Sequence, residues 1–148
     1  MTLDKGYLRI VTPLWDLIDI YQGPEVFLRT FGQAPRESGI LFAAHLCLSE
    51  VQNGGFEQFF YNGSGVLAPE AVEGFVAIGL PETGAVVQEA MLRLGSPYVR
   101  ERGERQEALE RLPEGCFREL DEKFYALADR EAGGFRRAAD GHAERVAR

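Results

Sequence analysis

From Glu37 to Leu92 the sequence contains no lysine and no arginine, although seven glutamates fall in that stretch. A long segment of one sign repels polyanions and anionic bilayers and attracts basic partners. Direct binding to nucleic acid or to a membrane surface is therefore not expected. Histidine is almost missing. His45 and His142 stand far apart, so neither a His-x-x-x-His pair nor a His–Cys set exists, and no metal or other cofactor is expected. The two cysteines, Cys47 and Cys116, are equally isolated, which closes a Cys-x-x-Cys zinc or redox motif. There is no Gly-x-Ser-x-Gly elbow, no phosphate loop and no dinucleotide fingerprint. No run approaches the roughly eighteen apolar residues that a membrane helix needs. The opening Met-Thr-Leu-Asp-Lys lacks a basic start followed by an apolar stretch, so a cytoplasmic chain is the expectation.

What is present suits one ordinary domain. The 148 residues are 45% hydrophobic and 26% charged, values of a globular chain large enough to fold without a disulfide or metal staple. Net charge is −7, from 23 acidic against 16 basic residues. The charge is unevenly spread: after Arg100 acidic and basic side chains are interleaved.

Strict alternation of apolar and polar residues does not persist anywhere, and helical spacing dominates. Tyr7 to Val11 suits a short extended piece. Thr12-Pro13 reads as a helix start, followed by Leu14, Leu17, Ile18 and Tyr21 on one face. Gly23-Pro24 opens a shorter helix through Phe27, Leu28 and Phe31. Ser38 to Val51 is so apolar that it reads as a central helix buried on most sides. Asn53-Gly54-Gly55 stops it, and Phe56 to Tyr61 suits a short helix beyond. Pro69, Pro81 and Ser96-Pro97 each mark a further start. Glu101–Arg105 and Glu107–Arg111 have the order of favourable surface pairs. Phe117, Leu120, Phe124 and Leu127 mark the clearest amphipathic helix, and Gly133-Gly134 precedes a terminal helix ending near Arg148. The expectation is an all-α fold, a single-domain irregular helical bundle of about seven to nine helices over residues 1–148.

The run from Glu50 to Asn62 is the most unusual stretch, with four amides (Gln52, Asn53, Gln58, Asn62) and four aromatics crowded around two glycines. One reading is structural: the glycines let two helices meet at a corner, the aromatics anchor it, and the amides bond to backbone groups left free at the helix ends. The other is a recognition pocket built on exposed N–H groups. Within this run, Glu50, Val51, Asn53, Gly54, Gly55, Phe56, Gln58, Phe59, Phe60 and Asn62 match the signature Glu-Val-x-Asn-Gly-Gly-Phe-x-Gln-Phe-Phe-x-Asn, and the chain resembles the DMP19-like family. The similarity extends weakly through Ala68 to Leu94 and resumes at Leu120-Asp121-Glu122-Lys123-Phe124-Tyr125, about two-thirds of the chain in all. The resemblance implies an all-helical fold. It also implies a function, because the family's named member is a DNA mimic whose acidic surface imitates duplex phosphates and keeps a helix-turn-helix repressor off its operator.

Enzyme chemistry has few candidates. His45 lies in the most apolar helix, where a lone histidine is a core residue, and His142 lies near the chain end. Asp16 with Asp19, and Glu70 with Glu73, are spaced to share a helix face without a partner base. Ser64, between two glycines, reads as a turn residue. The chain is therefore expected to be a non-catalytic protein-binding module, monomeric or homodimeric. Its partner would be a basic protein such as a DNA-binding regulator. Glu50, Glu57, Glu70, Glu73, Glu82 and Glu89 would supply the charge. The alternative is a small-ligand protein or enzyme with a polar pocket at the Asn53–Asn62 corner.

Overall fold

A computed structural model describes residues 5–146. Residues 1–4, on which the reading of the N-terminus rests, and residues 147–148 lie outside the described residues. Among the described residues nine α-helical segments follow one another: α1 Leu8–Val11, α2 Leu14–Leu17, α3 Pro24–Phe31, α4 Arg36–Tyr61, α5 Ala68–Ala77, α6 Pro81–Leu94, α7 Arg102–Glu110, α8 Arg118–Arg130 and α9 Phe135–Val146. Two short 3₁₀ turns, Gly63–Leu67 and Glu131–Gly133, join α4 to α5 and α8 to α9. Among the described residues there is no strand, and no helix is long and apolar enough to cross a membrane. The all-helical irregular bundle read from the sequence is the observed fold.

The spine is α4. Leu41, Phe42, Ala43, Ala44, Cys47 and Val51 are fully or almost fully buried on its first limb, which leaves it surrounded as its composition implies. Helix α5 packs along it, α6 packs in turn on α5 and α8, and α7 and α8 close over its second limb. Edge-on aromatic contacts run through the core from Phe56 to Phe124 (5.5 Å), Phe124 to Phe75 (5.8 Å), Phe75 to Phe135 (5.8 Å) and Phe135 to Tyr7 (5.5 Å). Such pairs add about 0.5–1.5 kcal/mol each beyond area burial, so this row ties α4, α5, α8, α9 and the N-terminal segment into one core.

The proline starts hold for α3, α5 and α6, where a proline occupies the first turn and its missing N–H costs nothing. Helix α6 is capped from a distance. Glu131 accepts the backbone N–H groups of Glu82 and Thr83, both at 2.8 Å, and the buried Thr83 hydroxyl at 2.7 Å. Helix α7 is capped by Glu101, whose carboxylate accepts from the amides of Gly103 and Glu104.

Several expectations need correction. Tyr7–Val11 is not extended; it leads into a helical turn that places Tyr7 and Val11 together in the core, with the Tyr7 amide on Asp140 at 2.9 Å. The helix after Pro13 ends at Leu17. The Asp19 amide bonds to the Thr30 hydroxyl instead of a carbonyl four residues back, and the Asp19 carboxylate holds Tyr21 and Gln22 in a turn. Tyr21 is consequently 92% exposed. Ser96-Pro97 starts no helix, because residues 95–100 cross the molecule so that Tyr98 and Arg100 reach the α4–α5 connection. His142 is buried within α9, its Nε2 lying 3.5 Å from a Glu37 carboxylate oxygen.

Candidate functional site at the kink of the central helix

The Asn53–Asn62 corner is a kink inside α4. Gly55 has φ +75°, a left-handed conformation that only glycine takes without strain, and Gly54 beside it is also non-helical. A kink frees backbone groups on both limbs, and α8 satisfies one on each side. Asp121 accepts the Phe56 N–H at 2.8 Å, and the Tyr125 hydroxyl donates to the Val51 carbonyl at 3.0 Å. A Cβ on Gly55 would lie 2.6 Å from an Asp121 oxygen, so the glycine also makes room for its cap. Burial raises the Asp121 pKa, opposed by the Phe56 hydrogen bond and reinforced by the charges of Glu57 and Glu122.

Gln58 and Asn62 turn to a side chain, not to the freed backbone groups expected of the amides. Gln58 and Asn62 both donate to one Glu50 oxygen, at 2.8 and 3.0 Å, while the Ser64 hydroxyl lies 3.2 Å from the other. The kink folds the second limb back toward Glu50, and a carboxylate offers about four acceptor positions where a carbonyl offers two. Asn53 is exposed, whereas Gly55, Phe56, Phe59 and Phe60 are buried.

One organising residue was missed. Arg105 is fully buried and unpaired with Glu101; it donates to the carbonyls of Phe60 (2.9 Å), Asn62 (2.7 Å) and Arg100. Tyr98 holds the Gly65 carbonyl at 2.6 Å, and Arg100 holds that of Val66 at 2.7 Å. Desolvation lowers the Arg105 pKa and raises that of Tyr98. The clue lay in Ala108, Leu109 and Leu112, which follow Arg105 at three, four and seven residues and put it on the inward stripe of α7.

The six glutamates expected to meet a partner divide sharply. Glu50 is half-buried and occupied by the corner. Glu70 is buried and forms a two-pronged pair with Arg100, at 2.7 and 2.8 Å. Glu73 pairs with Arg36, and Glu89 with Arg93 at 3.4 Å. Glu57 and Glu82 are exposed and, among the described residues, in no ion pair.

A cavity and a groove lie beside the two limbs of α4. The cavity, of about 450 Å³, lies between the first limb, at Leu46 and Glu50, the α2–α3 connection and the turn Asn62–Ser64, walled by Trp15, Tyr21 and Phe27 and by the polar Glu50, Ser64 and Arg102. The groove, of about 360 Å³, is lined by Glu57, Glu110 and Glu114 above Leu109, Leu112 and Phe117.

The family model described as DMP19-like protein matches residues 32–142, well over half of the chain and including the kink, Arg105 and Asp121. The chain belongs to the DMP19-like family. No match was found among curated proteins or among solved structures. In this DMP19-like chain the signature aromatics are buried and pack the corner, Gln58 and Asn62 gather on Glu50, and Asn53 lies exposed.

Proposed function

We propose that this DMP19-like chain is a non-catalytic protein-binding module that acts in the cytoplasm on a basic protein, with a DNA-binding regulator whose DNA surface it occupies as the candidate partner. One observation carries the reading. Glu57, Glu110 and Glu114 converge from the second limb of α4, the end of α7 and the α7–α8 connection on one groove whose lining, among the described residues, holds no lysine or arginine. Arg93, which reaches the Cys116 carbonyl beneath it at 2.7 Å, is half-buried and also pairs with Glu89. Three carboxylates over an apolar floor suit a basic segment: charge speeds and orients the encounter, and Leu109, Leu112 and Phe117 supply contact area. The overall charge of −7 acts in the same direction.

The polar groups of the corner support a binding role over a catalytic one. The Glu50 carboxylate beside the Ser64 hydroxyl is also held by Gln58 and Asn62, and His45 shares its hydrogen bond with the Tyr7 hydroxyl while burial lowers its pKa. A second reading, a small-ligand protein, has the cavity beside Glu50 in its favour.

The test is isolation of bound proteins from cells that express the chain, with cross-linking and a duplex DNA competitor. Partners should cross-link near Glu57 and Glu114, should be released by duplex DNA and by salt, and should be lost on reversal of Glu57, Glu110 and Glu114 to lysine. Partners that resist both DNA and charge reversal would overturn the reading.

A further inference from the structure

We propose that the cavity beside Glu50 receives the side chain of an arginine or lysine of the partner, an inference that rests on the reading that this partner is a basic protein. The argument starts from charge. Glu50 is half-buried at the cavity wall, and its three hydrogen-bond donors, Gln58, Asn62 and Ser64, are all neutral. They occupy three of about four acceptor positions on a carboxylate, and none cancels its charge. Among the described residues Arg102 is the only cationic side chain in the lining, and it makes no ion pair with Glu50. Its Nε donates to the Tyr61 carbonyl at 3.0 Å, and its guanidinium lies 5.8 Å from the centre of the Tyr61 ring. The site therefore offers an incoming donor cation a carboxylate that lacks an ion-pair partner among the described residues and keeps an open acceptor position.

The walls suit the rest of such a side chain. Trp15 and Tyr21 present aromatic surface, with the buried Phe27 beneath, and such surface packs against an aliphatic stem and attracts a cationic head through the ring quadrupole. Trp15, packed edge-on against Phe42, is still 44% exposed, and Tyr21 is 92% exposed. Tryptophan, tyrosine and arginine are the residue types that anchor protein interfaces. The cavity also adjoins the acidic groove. A shallow hollow lined by Glu57, Gln58, Tyr61 and Asn62 shares Asn62 with the cavity and Glu57 with the groove, so one partner can engage both.

Trp15 is the sole tryptophan, so its fluorescence reports directly on the cavity. The probes are the end-blocked tripeptides Gly-Arg-Gly and Gly-Lys-Gly, compared with versions carrying citrulline or norleucine at the centre. The cationic peptides should change Trp15 emission saturably, with the neutral ones about tenfold weaker or more. Glu50→Gln, which keeps an acceptor for the corner amides, should reduce the cationic affinity about tenfold. Tyr21→Ala alters a side chain that is almost wholly exposed, so it keeps the test valid if Glu50→Gln disturbs folding; it too should weaken binding. Equal binding of neutral and cationic peptides, no saturable response, or indifference to both variants would overturn the inference. If a basic protein binds through the groove while Trp15 ignores the peptides, the proposed function stands and this inference falls. If the peptides bind but no basic protein is ever retained, the cavity is a site for small organic cations and the assignment to a partner side chain is overturned.

Discussion

Asp121 accepts the backbone hydrogen of Phe56 at 2.8 Å although 65 residues separate them, and it does so against the bare backbone of Gly55. One carboxylate thus serves as the N-terminal cap of the second limb of α4, a position where negative charge also meets the positive end of the helix dipole. With Tyr125 on the Val51 carbonyl, α8 determines where α4 bends. The bend in turn sets the positions of Glu50, Glu57 and Tyr61, and so of both hollows.

Gly55→Ala should destabilise the protein by about 1–3 kcal/mol, because alanine at φ +75° is strained and its methyl would crowd the Asp121 carboxylate. The two sources are separable. In an Asp121→Ala background the crowding is gone and only the backbone strain remains, so the second substitution should cost less than it does alone. Chemical denaturation of the four proteins of this cycle measures the difference, and strictly additive losses would show that Gly55 is required for its φ alone.

The pH dependence of the same cap has a definite sign. Burial, with Glu57 and Glu122 adding, raises the folded-state pKa of Asp121 above its unfolded value. The stability linked to its titration is therefore fully present below the ordinary aspartate range, near 3.9, and is lost as pH rises through the higher folded value. Asp121→Asn removes this titration. The stability deficit of that variant against the wild type should widen as pH falls from neutrality toward about 4. Urea melts of both proteins across that interval provide the check; a deficit that narrows would mean that the Phe56 hydrogen bond outweighs desolvation.

Arg105 should be among the least replaceable side chains. Arg105→Lys retains the charge but cannot span the carbonyls of Phe60, Asn62 and Arg100 together, and Arg105→Met leaves all three without their donor. Each variant should cost about 3 kcal/mol or more, read from denaturant midpoints. Because α7 packs on α4 through this residue, amide exchange should accelerate first in residues 60–67.

How much of this could be read from the residues follows from what each feature depends on. The long helices follow from local pattern: prolines at the starts of α3, α5 and α6, an apolar α4, and the stripe of Leu120, Phe124 and Ala128 on α8. The bend at Gly54-Gly55 was equally legible. The N-terminal region was not, because Tyr7 and Asp19 take their conformation from Asp140 and Thr30, distant groups that local propensity does not contain. Partners in space also escaped. Glu101 and Arg105 look like a surface pair at helical spacing, yet one caps its own helix and the other is buried under the α4–α5 connection. For the same reason a glutamate-rich stretch could be counted but not apportioned. The spacing of Glu50, Glu57, Glu70, Glu73, Glu82 and Glu89 carries no sign that Arg100, from outside the stretch, buries itself against one of them.

That apportionment yields the sharpest functional prediction. Glu70 and Glu57 have the same side chain and lie in the same acidic stretch, but Glu70 is buried against Arg100 while Glu57 lies exposed at the groove. Glu70→Ala strands a half-buried guanidinium and should cost about 3 kcal/mol, partly recovered in the double variant with Arg100→Ala. Its folded fraction should still bind the partner with wild-type affinity. Glu57→Lys should behave in the opposite way. As a surface change it should shift stability by no more than about 0.5 kcal/mol. It should also weaken partner binding about tenfold at low salt, with the difference shrinking as ionic strength rises and screening shortens the reach of the charge. Calorimetric titration of both variants at two salt concentrations, beside their melting curves, decides the matter. Binding that is lost with Glu70 and indifferent to Glu57 would move the interface away from the groove.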